Sequence, residues 1–291
     1  MSDRTGPAHP TTDTGTGTGI TRSGENTRPG TAEKHMQGHW LLAHLGKKVL
    51  RPGGLGLTRQ LLHAAAPTTT DHIVEFGPGV GKTATILLAA KPASYVAVDP
   101  NPQGQEALRK ILDRHPRARL QISDAAHSEL PDGCADLVVG EAMLSMQNEK
   151  EKDAIVSEAV RLLAPGGRYA VHELLREIPA DTDPPTSGPG DPVSKEISRT
   201  IKVGARPLTV AGWHELLTRH GLEITWTGQA PMRLLEPSRI VADEGVLGAS
   251  RFLINLARNK PARERVQAMR ASFRAHADSL GAIAVVARKP R

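Results

Sequence analysis

The chain has 291 residues, 38% of them hydrophobic, a net charge of +6 and a single cysteine. That length suits one large α/β domain with additions, and the lone Cys134 excludes an internal disulfide framework or a cysteine-built zinc site, so no metal is expected. No apolar run approaches the roughly 18 residues of a membrane span, and aromatics at 3% leave few rings on which single-stranded bases could stack.

From Met1 to Lys34 the chain is Thr, Gly, Pro and charge, which buries too little to offset the entropy of ordering; residues 1–34 are expected to form a disordered tail. Arg4, Arg22, Arg28 and Lys34 cancel Asp3, Asp13, Glu25 and Glu33, so the excess positive charge belongs to the folded part. A basic fold is compatible with an anionic partner or with a solvated charge excess. The tail lacks the apolar stretch of a secretory signal, and the expectation is a cytoplasmic protein without a membrane partner.

Trp40, Leu41, Leu42, Leu45, Val49 and Leu50 recur at spacings of three and four, which predicts an amphipathic helix stopped by Arg51-Pro52-Gly53-Gly54. A second short helix follows through Leu57, Leu61 and Leu62. Apolar runs then alternate with helical patterns, as βα units of a mostly parallel sheet do. The predicted strands are His72 to Phe76, Tyr95 to Val98, Leu120 to Ile122, Ala135 to Val139 and Arg168 to His172. Helices fall at Gly81 to Ala90, Gln103 to His115 and Glu149 to Leu163, the last closed by Ala164-Pro165-Gly166-Gly167. Pro179 to Pro192 reads as a flexible excursion. A helix from Trp213 to His220, a strand from Leu222 to Trp226, a helix from Val266 to Leu280 and a strand from Ala282 to Ala287 complete the pattern.

The most informative stretch is Glu75-Phe76-Gly77-Pro78-Gly79-Val80-Gly81-Lys82-Thr83, an apolar strand running into glycines and then a helix. Such loops let the backbone approach a ligand at the carboxyl ends of parallel strands. A dinucleotide fingerprint would need glycine at position 82, which is Lys, and a Walker A loop would need glycine at position 76, which is Phe. An acid two residues before Gly-x-Gly-x-Gly is satisfied by Glu75, Gly77, Gly79 and Gly81. With Asp99-Pro100 at the end of the second strand, 24 residues beyond Glu75, and Ser123-Asp124-Ala125 after the third, the chain resembles the class I S-adenosylmethionine-dependent methyltransferases. Asp136 to Val139 and the Leu162 to Gly167 turn extend that resemblance over about residues 73 to 173.

The resemblance implies a doubly wound, seven-stranded, mostly parallel sheet whose last strand inserts antiparallel beside strand five. Residues 35–70 would form an N-terminal helical cap and residues 71–291 the donor-binding domain. The co-substrate implied is S-adenosyl-L-methionine, contacted by Glu75, Gly77, Pro78, Gly79, Gly81, Asp99, Pro100, Asp124, Ala125 and Glu141. A carboxylate such as Asp99 suits ribose because it can accept from two hydroxyls at once.

The acceptor is expected beyond strands four and five. An Asn- or Asp-Pro-Pro-aromatic signature of nucleic-acid N-methyltransferases is missing after strand four, which favours a small-molecule acceptor over nucleic acid. Glu141 is a candidate contact to acceptor or sulfonium and otherwise a helix cap. His172 is a candidate general base near neutral pH and otherwise structural; it and Glu173 are expected to face the mouth at the end of strand five. His39 and Trp40 are candidate lid residues, Arg206 and Arg233 candidate anion clamps, and Met143, Met146 and Met232 either pocket lining or packing. The tract from Arg251 to Arg274 reads as a solvated helix face or a nucleic-acid surface. An RNA methyltransferase, a P-loop-like nucleotide enzyme and a non-catalytic adenosyl-ligand sensor remain as alternatives.

Overall fold

The computed structural model describes residues 36–177 and 191–291. The predicted tail 1–34, and most of the predicted excursion from Pro179 to Pro192, lie outside the described residues. Helices α1 (Gly38–His44) and α2 (Gly54–Ala65) lead into β1 (His72–Phe76), α3 (Lys82–Ala89), β2 (Ser94–Val98), α4 (Pro102–Leu112) and β3 (Ala118–Gln121). Then follow β4 (Ala135–Glu141), α5 (Glu149–Leu162), β5 (Leu163–Arg176), α6 (Pro192–Ile201), α7 (Val210–Thr218), β6 (Glu223–Pro231), α8 (Pro237–Arg258), α9 (Lys260–Ala275) and β7 (Leu280–Arg288).

The strands form one seven-stranded sheet in the order β3-β2-β1-β4-β5-β7-β6. Neighbours from β3 to β5 pair in parallel, and β7 runs antiparallel to both β5 and β6. The expected sheet, with its inserted last strand, is therefore present. The order reverses between β1 and β4, and such a switch point opens a crevice at the strands' carboxyl ends.

Period-two alternation puts core on both faces. In β1, Ile73 packs with Leu57, Leu61, Leu87 and Leu108 of α2, α3 and α4, while Val74 and Phe76 pack with Ile155, Ala159, Trp213 and Leu216 of α5 and α7. Helix α2 shares this sheet core, so a boundary at residue 70 separates stretches of chain and not separate cores. A third cluster joins α1, α6, α8 and α9 through Leu41, Leu42, Ile197, Phe252, Met269 and Phe273. It caps the carboxyl end of β5.

Several sequence expectations need correction, among them that β5 starts at Leu163 and not Arg168 and that β6 runs to Pro231 and not Trp226. The first helix ends at His44, not Leu50, because Gly46 turns the chain with φ at +99°. Lys47 is then buried 3.8 Å from Asp243 and 3.6 Å from Glu244, which holds the following segment extended against α8. Strand β5 runs four residues past His172, since β7 keeps pairing from Glu173–Ile283 to Arg176–Leu280. Helix α9 stops at Ala275, and Leu280 starts β7. Helix α6, capped by Asp191 through the backbone N–H groups of Val193 and Ser194, had no counterpart in the sequence reading.

Candidate functional site

A cleft of about 440 Å³ opens at the carboxyl ends of β1, β2 and β4. Gly77, Gly79, Val80 and Lys82 bound it on one side, Asp99, Pro100 and Asn101 on another, and Asp124 and Ala125 on a third. The α1 region closes it with His39 and Trp40, the two expected lid residues, and Glu141 and Met143 lie on its floor.

The glycine loop turns sharply, with φ at +61° for Gly77 and +56° for Gly79, a region costly for any residue with a Cβ. A Cβ on Gly79 would meet nothing within 4 Å, so that side of the loop faces open space. Its other side is pressed by α4: a Cβ on Gly104 would stand 2.3 Å from the Gly79 carbonyl oxygen. Asp99 ties the loop to β2, accepting from Gly79 N at 3.2 Å and from Asn101 N at 2.9 Å. Burial pushes the Asp99 carboxyl up, against those two backbone bonds, which pull it down. Asp124 is exposed on the cleft and accepts from Ala126 N at 2.7 Å.

Glu75, Pro78 and Gly81 do not line the cleft. Glu75 is buried within the sheet layer, where the Tyr95 hydroxyl donates to it at 2.6 Å. Burial dominates there and raises its carboxyl to about 8. The glutamate is a support beneath the loop and not a wall of the cleft.

Glu141 is the hub of a buried polar cluster. Arg51 pairs with it, the Thr83 hydroxyl donates to the same oxygen, the Thr58 hydroxyl donates to the other at 2.7 Å, and His172 Nδ1 stands 2.8 Å away. Burial alone would raise this carboxyl; Arg51 first, then His172 and Thr58, reverse that and bring it down to about 2. Arg51, Thr58 and Thr83 were not singled out as functional in the sequence. Arg51 had been read only as part of a helix stop, and Thr83 as an ordinary first turn.

His172 departs from its expected role. Its side chain is fully buried because β5 continues beyond it, and Nε2 is held 2.7 Å from the Pro52 carbonyl oxygen while Nδ1 faces Glu141. Both nitrogens are engaged, so a general base for an acceptor is not available there. Glu173 is also sealed: it accepts from the backbone of Met143, Leu144 and Ser145 at 2.8–3.0 Å and from the Ser145 hydroxyl at 2.7 Å. It fastens the turn after β4.

Neither Arg206 nor Arg233 lines the cleft, whereas Met143 and Met146 do. In the basic tract, Arg270 and Arg274 are paired with Glu236, and Arg263 and Arg265 donate to backbone carbonyls. Those four guanidinium groups are thus committed within the chain. Among the described residues no helix is long and apolar enough to cross a membrane.

Two buried N–H groups of the cleft residues, Trp40 Nε1 and Arg51 Nε, have no hydrogen-bond partner among the described residues. Buried donors are seldom left so. The open face of Gly79 and the carboxylate of Asp99 fit a ligand that brings hydroxyl groups, as an adenosyl amino acid does.

Residues 73–167 match a family described as a methyltransferase domain. An uncharacterized protein of Haemophilus influenzae is 28% identical over 259 residues, covering 88% of this chain and 99% of its own. An O-methyltransferase of Penicillium expansum is 25% identical over 129 residues, and this chain spans 47% of it. Among solved structures, phosphoethanolamine N-methyltransferase 2 of Haemonchus contortus, in complex with phosphomonomethylethanolamine and S-adenosylhomocysteine, superposes with a TM-score of 0.65 at 15% identity. That superposition covers 87% of this chain and 58% of the other.

Proposed function

We propose that the chain is an S-adenosylmethionine-dependent methyltransferase of the class I fold that methylates a small molecule by in-line displacement, without His172 as general base. The reading rests above all on one observation: the glycine loop, Asp99 and Asp124, drawn from three successive strand ends, border a single cleft. In it, Asp99 would accept from the ribose hydroxyls with the lone pairs that Gly79 and Asn101 leave free. Asp124 and Ala125 would border the adenine, and Gly77 and Gly79 would let the backbone approach the amino-acid part.

When bound, the donor supplies a methyl group on a sulfonium, whose electron pair returns to sulfur as the new bond to the acceptor forms. No leaving group needs a proton, so the work of this chain is alignment and exclusion of water. Where the accepting atom carries a proton, His39 is the side chain of the cleft wall suited to bond to it. Burial holds its imidazole at about 4, so the ring is neutral and an acceptor at physiological pH.

Calorimetric titration with S-adenosylhomocysteine tests this reading. Micromolar binding is expected, weakened on the order of 30- to 100-fold in Asp99→Ala, the equivalent of about 2–3 kcal/mol for hydrogen bonds to a charged group. Binding of ATP-magnesium in place of S-adenosylhomocysteine would overturn it.

A further inference from the structure

Beside the cleft lies a second cavity of about 80 Å³, where α1, α6 and α9 meet the segment after β6. Leu42, Ile197, Ala205, Met232, Met269 and Phe273 are among its walls. His39, Leu50, Ala142, Met146 and Val203 border both spaces, so the chamber and the cleft share a partition.

The chamber has almost no free polarity. Besides His39 at the partition, Ser145 and Glu173 reach it, but the Glu173 carboxylate is filled by three backbone N–H groups and the Ser145 hydroxyl, and the Ser145 oxygen accepts from Leu174 N at 3.0 Å. Among the described residues no lysine or arginine lines it. Apolar walls of this kind offer water few hydrogen-bond partners. A charged group entering it would lose its hydration and find no lysine or arginine among the described residues to pair with. The methionine side chains give the walls freedom to adapt to a guest.

We infer that this chamber binds the methyl acceptor and selects an uncharged, apolar body, a single ring or short branched hydrocarbon, with its accepting atom at the His39–Ala142 partition. The inference rests on the methyltransferase reading and deepens it. A phosphorylated acceptor is disfavoured by the same chemistry, because among the described residues no lysine or arginine lines the chamber to meet it.

The test is calorimetry with 4-methylphenol and with its charged counterpart 4-methylbenzoate, each with and without saturating S-adenosylhomocysteine. The phenol is expected to bind about tenfold or more tightly than the benzoate. Ala205→Phe, which fills only the chamber, should weaken the phenol about tenfold while leaving S-adenosylhomocysteine within about twofold of wild type. The smaller Ala205→Leu carries the same expectation should the larger ring disturb folding. Equal binding of the two probes, no binding of the phenol by a protein that binds S-adenosylhomocysteine, or indifference to both Ala205 substitutions would overturn the assignment. Failure of the wild type to bind S-adenosylhomocysteine would instead sink the donor reading, and the acceptor assignment with it.

Discussion

Replacing Glu141 by Gln removes the one negative charge that Arg51 meets in the buried cluster. The carboxyl is ordinarily near 4.5 and here stands at about 2; at about 1.36 kcal/mol per pH unit that gap is worth about 3 kcal/mol. Breaking a buried pair by deleting one partner costs about 3–5 kcal/mol by the independent route of an uncompensated charge. The folded-state value lies below the unfolded one, so the stabilisation is complete above pH 4.5 and is lost as the pH falls through about 2. Urea unfolding should therefore find Glu141→Gln about 3 kcal/mol less stable than wild type at pH 7, with the difference closing as the pH approaches 2. Adding Arg51→Met should restore part of the loss, because neither charge then remains buried alone. A Gln variant within about 0.5 kcal/mol of wild type at pH 7, or a deficit that persists unchanged at acid pH, would refute the reasoning.

Glu75 has the opposite sign: its folded-state value is raised from 4.5 to about 8, so its contribution is most favourable below 4.5 and declines as pH rises to 8. Thermal melts of Glu75→Gln should lack that decline and show a gain over wild type of about 3–5 kcal/mol at pH 8; parallel pH profiles would show that this carboxyl is not the cause. Gly104→Ala forces a Cβ to 2.3 Å from the Gly79 carbonyl, and calorimetry should find S-adenosylhomocysteine binding weakened about tenfold as the loop shifts. Unchanged affinity would mean that α4 does not set the loop. His172→Gln should cost about 1–3 kcal/mol in unfolding experiments through its lost partners and leave the pH–rate profile of methyl transfer in place. A displaced profile would return the histidine to the role of base.

What was legible in the sequence is what repeats locally. Ile73 and Val74 face opposite layers because strand side chains alternate, and that alternation is visible in four consecutive residues. The glycines at 77, 79 and 81 announce a tight turn through their own conformational freedom, and Asp99 and Asp124 follow at strand ends marked by apolar runs. The polar cluster had no such signal. Arg51 and Glu141 are 90 residues apart, and nothing in the neighbourhood of either announces the other. His172 was misplaced for a related reason: Leu280 to Ile283, more than a hundred residues downstream, prolong β5, and a strand's end is decided by its partner as much as by its own residues. The close approach of Gly104 to Gly79 was hidden because a glycine inside a helix reads locally as a weakness and not as a contact.

On the proposed reading, the cluster and the chamber would divide the labour of alignment between a hydrogen-bonded floor and adaptable apolar walls. Arg51 comes from the segment before α2, Thr58 from α2, Thr83 from α3, Glu141 from β4 and His172 from β5, so a single carboxylate ties five stretches of chain at the floor of the cleft. Buried ion pairs add little net stability over apolar packing, so what the cluster contributes is position. It ends at Ala142, held at φ +54°, a conformation costing about 1–2 kcal/mol for a residue with a Cβ. Ala142 N donates to the His172 carbonyl at 2.7 Å, and the same residue stands on the partition between cleft and chamber. Ala142 is thus held in a costly conformation between the buried cluster and the partition. The methionines on the far side are flexible side chains, so if the chamber holds the acceptor as proposed, exchanging its apolar residues would change the acceptor without touching the buried cluster.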